Sequence, residues 1–509
     1  LLLAFISIAI SGCTSLAPRP QLAQVGAVAA DPGSRIGKTV DAALGADARS
    51  GFRLLPIATT SFETRIELAA ETQHTLDLQY YVFSDDNTGR LLMRAARDAA
   101  LRGVRVRILV DDLYTSGEDP ILKGLAAFQN VEVRLFNPFP TGRDSMLGRL
   151  IASANDAERI DHRMHNKLFI ADNQAAVLGG RNIADEYFMR SQTSNFVDTD
   201  LLAVGPIVRS LSAIFDGYWN SAAAYPLAFI VSSEMSREKL QQDFDQRTRA
   251  AASPPTDVVA SADDPYLSVP GELRAGHLNS LVRANAAAYA DSVSKVLGAN
   301  EETLTGTATS QVLAMLASAQ RSALLVSPYF VPGKIGMEAL KAERDRGVDV
   351  TVITNSLAST DEPLVHVGYL RYRRQMLQLG IHIHELSPTL VARRAHEGNF
   401  HSSQGALHAK LAIIDGHQVF LGSMNMDLRS ARENTELAVI IDSPELAQQI
   451  MARLDRGSSY DVRLNGHGDV QWVAEDGGRD SVFEDEPEAG FWTKREVDLL
   501  APFVPEKQL

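Results

Sequence analysis

A chain of 509 residues exceeds one ordinary hydrophobic core and calls for two or three domains. With 45% hydrophobic and 22% charged residues it has a globular composition, which excludes a disordered or fibrous protein. The net charge of −14 argues against sequence-independent nucleic-acid binding, which depends on clustered Lys and Arg.

In chain order, the apolar run Leu1 to Ile10 comes first. It is far shorter than the ~20 residues of a spanning helix and reads as the hydrophobic region of a signal peptide. Neither Met nor a basic segment precedes it, so the start reads as clipped. Ile10-Ser-Gly-Cys13 resembles a bacterial lipobox, in which cleavage before the cysteine exposes it for lipid attachment. The expectation is a signal segment over 1–12, a lipidated Cys13 and a linker over 13–55. That makes a membrane-anchored lipoprotein of the bacterial envelope, facing the periplasm, with Thr14 leaning toward the outer membrane. The plainer alternative is a buried strand with an incidental Cys. Cys13 is the single cysteine, so no internal disulfide forms.

Leu76 to Phe83 reads as a strand, Gly89 to Leu101 as a helix stopped by Gly103, and Val104 to Val110 as a second strand. Val131 to Phe136 follows as a short strand. The apolar stretch Ala222 to Val231 is too short to span a bilayer and reads as a buried strand or packing segment. Periodicity fades over 226–305, with loop-like Ala251 to Thr256 and Ala260 to Pro265. The strand–helix–strand order then returns: Ala323 to Phe330, Met337 to Arg346 stopped by Gly347, Val348 to Ile353, and Ile381 to Leu386. The predicted layout is one module over 56–225, a connection over 226–305, a second module over 306–455 and an extension over 456–509. Each module is an α/β unit with a mainly parallel sheet flanked by helices. Phe491 to Phe503 reads as an amphipathic segment resting on the protein or on lipid.

Both modules carry one sparse polar pattern, about 240 positions apart. The first is His165-x-Lys167, Asp172, Gly179-Gly180-Arg-Asn182; the second is His408-x-Lys410, Asp415, Gly422-Ser423-Met-Asn425. All spacings match, which points to one site shared across a pseudo-twofold axis. Strand alternation sends each His and Lys to one face. Asp172 and Asp415 fall after the strand and are expected to brace the turn. The glycines, followed by a helix-like stretch, suggest close backbone approach to an anion. A lone His-x-Lys usually marks a solvated face; two matched copies do not.

Such a pair can run phosphoryl-type transfer: one neutral imidazole attacks phosphorus, the other acts as acid and then base. Lys167, Lys410, Asn182 and Asn425 would hold the non-bridging oxygens. The triplets Asp198-Thr-Asp200 and Asn434-Thr-Glu436 precede similar apolar runs, so they read as equivalent, with Asp198 and Glu436 among the carboxylates that could orient the imidazoles. No metal or cofactor is required, since the lysines supply positive charge. His366 and Tyr369 read equally as substrate contacts or helix packing. His74, His382 and His384 read as structural, and Arg393-Arg394 as a solvated loop.

The two motifs resemble the paired HxKxxxxD signatures of the phospholipase D superfamily, with its Gly-Gly/Ser-x-Asn. Arg163-Met-His-Asn-Lys167, Gly179 to Asn182, Asn355 to Asp361, His366-Val-Gly-Tyr369 and Pro505-Glu-Lys-Gln-Leu509 resemble the bacterial cardiolipin synthase C-type branch. The likeness covers about residues 55 to 509. It implies two phospholipase D-like α/β modules packed with pseudo-twofold symmetry, catalytic His165, Lys167, Asp172, His408, Lys410 and Asp415, and ping-pong transfer through His165. The implied activity is cardiolipin formation from phosphatidylglycerol, with phosphatidylglycerol or phosphatidylethanolamine as donor. Phospholipid hydrolysis is the alternative; a nuclease or a non-catalytic lipid-binding protein stands further off.

Overall fold

The computed structural model of the chain describes residues 16–251, 264–298, 304–394, 403–454, 456–476, 479–502 and 504. The lipobox with Cys13, most of the loop expected around 251–265, and Pro505–Leu509 lie outside the described residues.

The first half supplies strands β1 (Ser50–Leu55), β2 (Thr75–Tyr80), β3 (Arg105–Asp111), β4 (Val131–Phe136), β5 (Leu168–Ala171), β6 (Ala175–Gly179), β7 (Ser194–Val197), β8 (Asp200–Val204) and β9 (Ala224–Pro226). The second supplies β10 (Val282–Ala290), β11 (Ser322–Val326), β12 (Asp349–Asn355), β13 (His382–Leu386), β14 (Gln404–Leu407), β15 (Leu411–Ile414), β16 (Gln418–Gly422) and β17 (Leu437–Asp442). The extension adds β18 (Ser459–Leu464), β19 (Val470–Asp476) and β20 (Arg479–Phe483).

Eighteen of these strands form one continuous sheet. Pairing runs β9-β4-β3-β2-β5-β6-β8-β1 through the first half and β10-β17-β16-β15-β11-β12-β13-β18-β19-β20 through the second. The halves meet where β1 pairs antiparallel with β10, so a pseudo-twofold axis passes between those strands.

The duplicated α/β architecture is as the sequence indicated, with a mixed sheet. In each half only three strands are parallel, β2-β3-β4 and β11-β12-β13, because only these are joined by helical crossovers. The motif strands β5-β6 and β15-β16 are tight hairpins and therefore antiparallel. Two segments expected as connections are strands at the centre. Ser50–Leu55, in the expected linker, is β1 and fully buried; Val282–Ala290, in the expected connection, is β10. Both escape a pattern search, β1 because it shows no polar–apolar alternation and β10 because it is Ala-rich with few β-branched residues. Ala222–Val231 divides into edge strand β9 and the helical turn Leu227–Ile230.

The helix Asn87–Leu101 shows why the crossovers form. Asp86 caps it by accepting from the Gly89 N–H, and Leu92, Met93, Ala96 and Ala99 face the sheet. Gly103 (φ 99°) and Gly347 (φ 83°) take the left-handed conformation that ends the two crossover helices. A central apolar cluster uniting Phe52, Leu54, Leu168 and Leu178 with Leu411, Ile413 and Val439 welds the halves together behind the motif hairpins.

Candidate active site

Each motif histidine is held by backbone from the opposite half. The His165 N–H donates to the Thr435 carbonyl at 2.9 Å, and the His408 N–H donates to the Val197 carbonyl at 2.8 Å. Around them Met164 bridges Thr435, and β14 runs parallel to β7. The next residues after those carbonyls are Glu436 and Asp198, so the backbone register carries each carboxylate to the other half's imidazole. His165 Nδ1 lies 3.0 Å from Glu436, and His408 Nδ1 lies 2.8 Å from Asp198. With Nδ1–H donating to a carboxylate, Nε2 keeps its lone pair.

This crossed arrangement corrects the triplet equivalence read from sequence. Strand register pairs Leu178 with Leu201 and its counterpart Leu421 with Val439, which matches Asp198 to Glu436 and Asp200 to Ala438. Asp200 instead accepts from Ser61 and Arg65 inside the first half. The apolar runs after the triplets are offset by two residues, and this misled the comparison.

The residue that leads into each histidine is clamped by a side chain at the end of a parallel strand. Asp111, ending β3, accepts the Met164 N–H at 2.8 Å and pairs with Arg163. Asn355, ending β12, accepts the Leu407 N–H at 2.8 Å and donates to the Leu407 carbonyl at 2.9 Å. Lys167 and Lys410 fold back so that each ammonium donates to its own histidine's carbonyl, at 2.7 and 2.6 Å. Lys410 also lies 2.9 and 3.1 Å from the two ring nitrogens of His408.

Asp172 and Asp415 sit away from the imidazoles. Each opens a hairpin turn whose two central residues have positive φ: Asp172 (53°) with Asn173 (54°), and Asp415 (52°) with Gly416 (72°). Asp172 accepts from the Thr72 hydroxyl and from the N–H groups of Gln73, His74 and Thr75. Asp415 accepts from the N–H groups of Gln320, Arg321 and Ser322. They brace the turns that aim β5 and β15.

The glycines serve packing, in contrast to the expected approach to an anion. A Cβ on Gly180 would stand 2.3 Å from Asp198 Oδ2, and one on Gly422 would stand 2.1 Å from the Leu437 carbonyl. The helix-like stretches are single turns, Asp185–Phe188 and Leu428–Arg432. Asn182 accepts from the Val82 N–H and donates to the Tyr187 hydroxyl, whereas the buried Asn425 Oδ1 has no partner. Arg181 is spent on the carbonyls of Leu55 and Pro56.

Burial dominates the electrostatics. It lowers His165 to about 4, with Glu436 opposing and Lys167 reinforcing the shift. Burial, then Lys410, Lys167 and His165, hold His408 well below its usual range. Burial likewise lowers Lys410 to about 8 and holds Lys167 well below its usual range. The two carboxylates differ. Burial raises Asp198 against Lys410 and Arg181, while His165, Lys167 and Ser423 overcome burial and lower Glu436. The hydroxyls of Ser423 (2.5 Å) and Ser430 (2.8 Å) donate to Glu436, and Asp198 faces the hydrogen-only Gly180 where Ser423 stands in the other half.

Several residues here carry no sequence signal strong enough to single them out. Tyr81 stacks edge-on against His165 at 5.0 Å, Tyr187 against His408 at 5.0 Å, and Phe196 lies 4.8 Å from His408. Tyr114 continues outward from Tyr81 at 5.2 Å and is 46% exposed, marking the rim. Tyr369 belongs to a separate buried network, donating to Glu385 beside Arg373 and Trp472. His366 packs on Tyr369 at 5.2 Å, and burial lowers it to about 3. His74 and His382 pair with Asp31 and Asp349 at the surface, and Arg393 is exposed. Among the described residues no group of three His, Cys, Asp or Glu is arranged to hold a metal, and no helix is long and apolar enough to cross a membrane.

The family described as "Cardiolipin synthase, PLD-like domain" matches residues 66–219 and 312–457. Cardiolipin synthase C of Escherichia coli K12 is 35% identical over 463 residues, spanning 88% of this chain and 94% of that protein. An uncharacterized protein of Helicobacter pylori J99 is 29% identical over 449 residues, 87% of this chain and 86% of its own length. The crystal structure of phosphatidylserine synthase from Haemophilus influenzae Rd KW20 shares the fold, with a TM-score of 0.57 at 12% identity over 93% of this chain and 99% of that one.

Proposed function

The chain belongs to the cardiolipin synthase family of phospholipase D-like proteins, and we propose on that premise that it is a phosphatidyltransferase that forms cardiolipin. The donor is phosphatidylglycerol or phosphatidylethanolamine, and the acceptor is a second phosphatidylglycerol. The observation that carries this reading is the crossed pairing of His165 with Glu436 and His408 with Asp198, which orients both imidazoles through Nδ1 and turns their Nε2 atoms to other partners, Lys410 in the case of His408.

His165 is the nucleophile. Its Nε2 attacks phosphorus; the N–P bond forms as the P–O bond to the leaving alcohol breaks, and His408 gives that oxygen a proton. The acceptor hydroxyl then returns a proton to His408, its oxygen attacks phosphorus, and the N–P bond breaks. The contact of Lys410 with both ring nitrogens of His408 supports this assignment, since it leaves His165 the less obstructed ring. In the free protein burial and the neighbouring lysines disfavour the charged form of both imidazoles. A bound phosphodiester anion offsets the ammonium charges and raises His408, so substrate itself charges the acid. Lys167 and Lys410, with the amides of Asn182 and Asn425, hold the non-bridging oxygens. Glu436 and Asp198 position the rings, and Asp172 and Asp415 position the strands.

Lipidation at Cys13 tethers the protein to the periplasmic side of the envelope. The exposed Leu147, Leu150 and Ile151 on the helix Met146–Ala152 support contact with lipid near Tyr114, because that helix is tied to the Asp112–Thr115 loop through buried Arg149. The test is incubation of the purified full-length protein with labelled phosphatidylglycerol, with and without phosphatidylethanolamine. Diphosphatidylglycerol is the expected product; phosphatidic acid alone would assign hydrolysis, and no product would reject the reading.

A further inference from the structure

The pseudo-symmetry provides an internal control on one cavity. In the first half, the space between the helices Ala58–Glu71 and Asn87–Leu101 and the turn Asp185–Phe188 is filled, with the rings of Phe62 and Phe188 meeting at 5.1 Å. Gln73 and Gln320 mark the same point of the aspartate-braced turn, so counting back from them sets Thr309 where Phe62 stands. Counting forward from Asn182 and Asn425 sets Ala431 where Phe188 stands. Both small residues line a cavity of about 880 Å³ beside the helices Ala308–Ala317 and Gly333–Asp345.

Val312, Leu316, Leu325 and Met424 give this cavity apolar walls, and Asn425 lines it with a buried side-chain oxygen that has no partner. Of the charged groups on its inner wall, Lys295 pairs with Asp291 at 2.7 Å, His162 stands 3.1 Å from Glu433, and the buried Asp427 accepts from the Ser430 N–H; Glu158, Asp161, Lys334 and Arg432, which also line it, are exposed. Its volume lies within the ~300–1,000 Å³ of ligand sites. A chain of methylenes suits these walls, and a charged ligand does not.

We propose that this cavity receives one acyl chain of the phospholipid whose phosphate lies between the two histidines. The inference rests on the function proposed above. Asn425 provides the link, because the same residue ends the second motif and lines the cavity. The second half thus holds lipid where the first half has filled its equivalent space with rings.

The test uses the full chain with two probes. The first is phosphatidylglycerol carrying a diazirine at the end of one acyl chain, in phosphatidylcholine vesicles. Photolabel is expected on peptides spanning Val312–Leu316 or containing Met424, in the wild type and in His165→Ala alike. Label confined to other elements would overturn the proposal. The second is a comparison of dioleoyl with dihexanoyl phosphatidylglycerol in Ala431→Phe and the milder Ala431→Leu. Each methylene kept out of such a cavity weakens binding about fourfold, so a ring that displaces two or more lowers kcat/KM for the dioleoyl lipid at least about tenfold. The dihexanoyl lipid is expected to stay within about twofold, since its chains end before the blocked depth. Equal losses on both lipids would overturn the proposal. If Ala431→Phe fails to fold, the wild-type labelling decides alone. Transfer of the short lipid by wild type tests the underlying function separately.

Discussion

Replacing Glu436 by Gln keeps the shape of the side chain and removes its charge from the partner of His165. When His165 attacks phosphorus its ring becomes cationic, and the carboxylate 3.0 Å away is the closest compensating charge. At an effective dielectric of about 20, that attraction amounts to about 5 kcal/mol. The Ser423 and Ser430 hydroxyls, which now donate to Glu436, can both donate to one amide oxygen only at the expense of the ring contact. A net loss of about 3–5 kcal/mol in the transition state corresponds to a fall of about 10²–10⁴ in kcat. The assay is single-turnover release of labelled alcohol from the donor lipid, which isolates formation of the covalent intermediate. KM is expected to change little and the circular dichroism spectrum to be retained. The double variant Glu436→Gln/His165→Ala is expected to match His165→Ala alone, because the carboxylate acts only through that ring. A single-turnover rate within about threefold of wild type would refute the crossed-pair reasoning.

Other expectations follow from the same geometry. The pH profile of kcat/KM is bell-shaped: protonation of His165 near 4 removes the nucleophile on the acid side, and loss of the Lys410 charge near 8 weakens phosphate binding on the alkaline side; a profile flat from pH 4 to 9 would contradict it. Gly180→Ala drives a methyl into the Asp198 carboxylate and is expected to cut kcat about as much as Asp198→Ala, whereas Ser423→Ala is expected to fold normally and lose less, as steady-state rates would show. Asp172→Ala leaves three N–H groups without their acceptor and the Thr72 hydroxyl with only the Thr75 carbonyl, and is expected to destabilise the fold by about 3 kcal/mol, read in a urea titration. In cells producing the full-length protein, labelled palmitate is expected on the wild type and absent from Cys13→Ser; equal labelling would exclude that attachment site.

Much of the site was legible because duplication wrote it twice. The matched spacing of His165, Lys167 and Asn182 with His408, Lys410 and Asn425 survives a separation of 243 positions, although the His and Lys of each motif, expected on a strand, lie just ahead of β5 and β15. The turn-bracing role of Asp172 and Asp415 was also readable, since each falls just beyond its strand. The pairing of each imidazole with the opposite half's carboxylate was not. It depends on backbone bridges between Met164 and Thr435 and between β14 and β7, contacts between chain segments that no local pattern encodes. The glycines misled for a related reason: their neighbours, Asp198 and Leu437, are set by strand register. The central strand β1 escaped notice because burial of every residue goes with a sequence lacking the alternation by which half-buried strands are recognised, and β10 because its alanines carry little strand signal.

The most direct measurement is acid quenching of the enzyme during turnover of phosphatidylglycerol, followed by mass spectrometry of its peptides. A phosphatidyl adduct on His165, absent from His165→Ala, is the result the two-histidine site predicts. Turnover with no histidine adduct, or with an adduct on a residue other than His165 and His408, would contradict it.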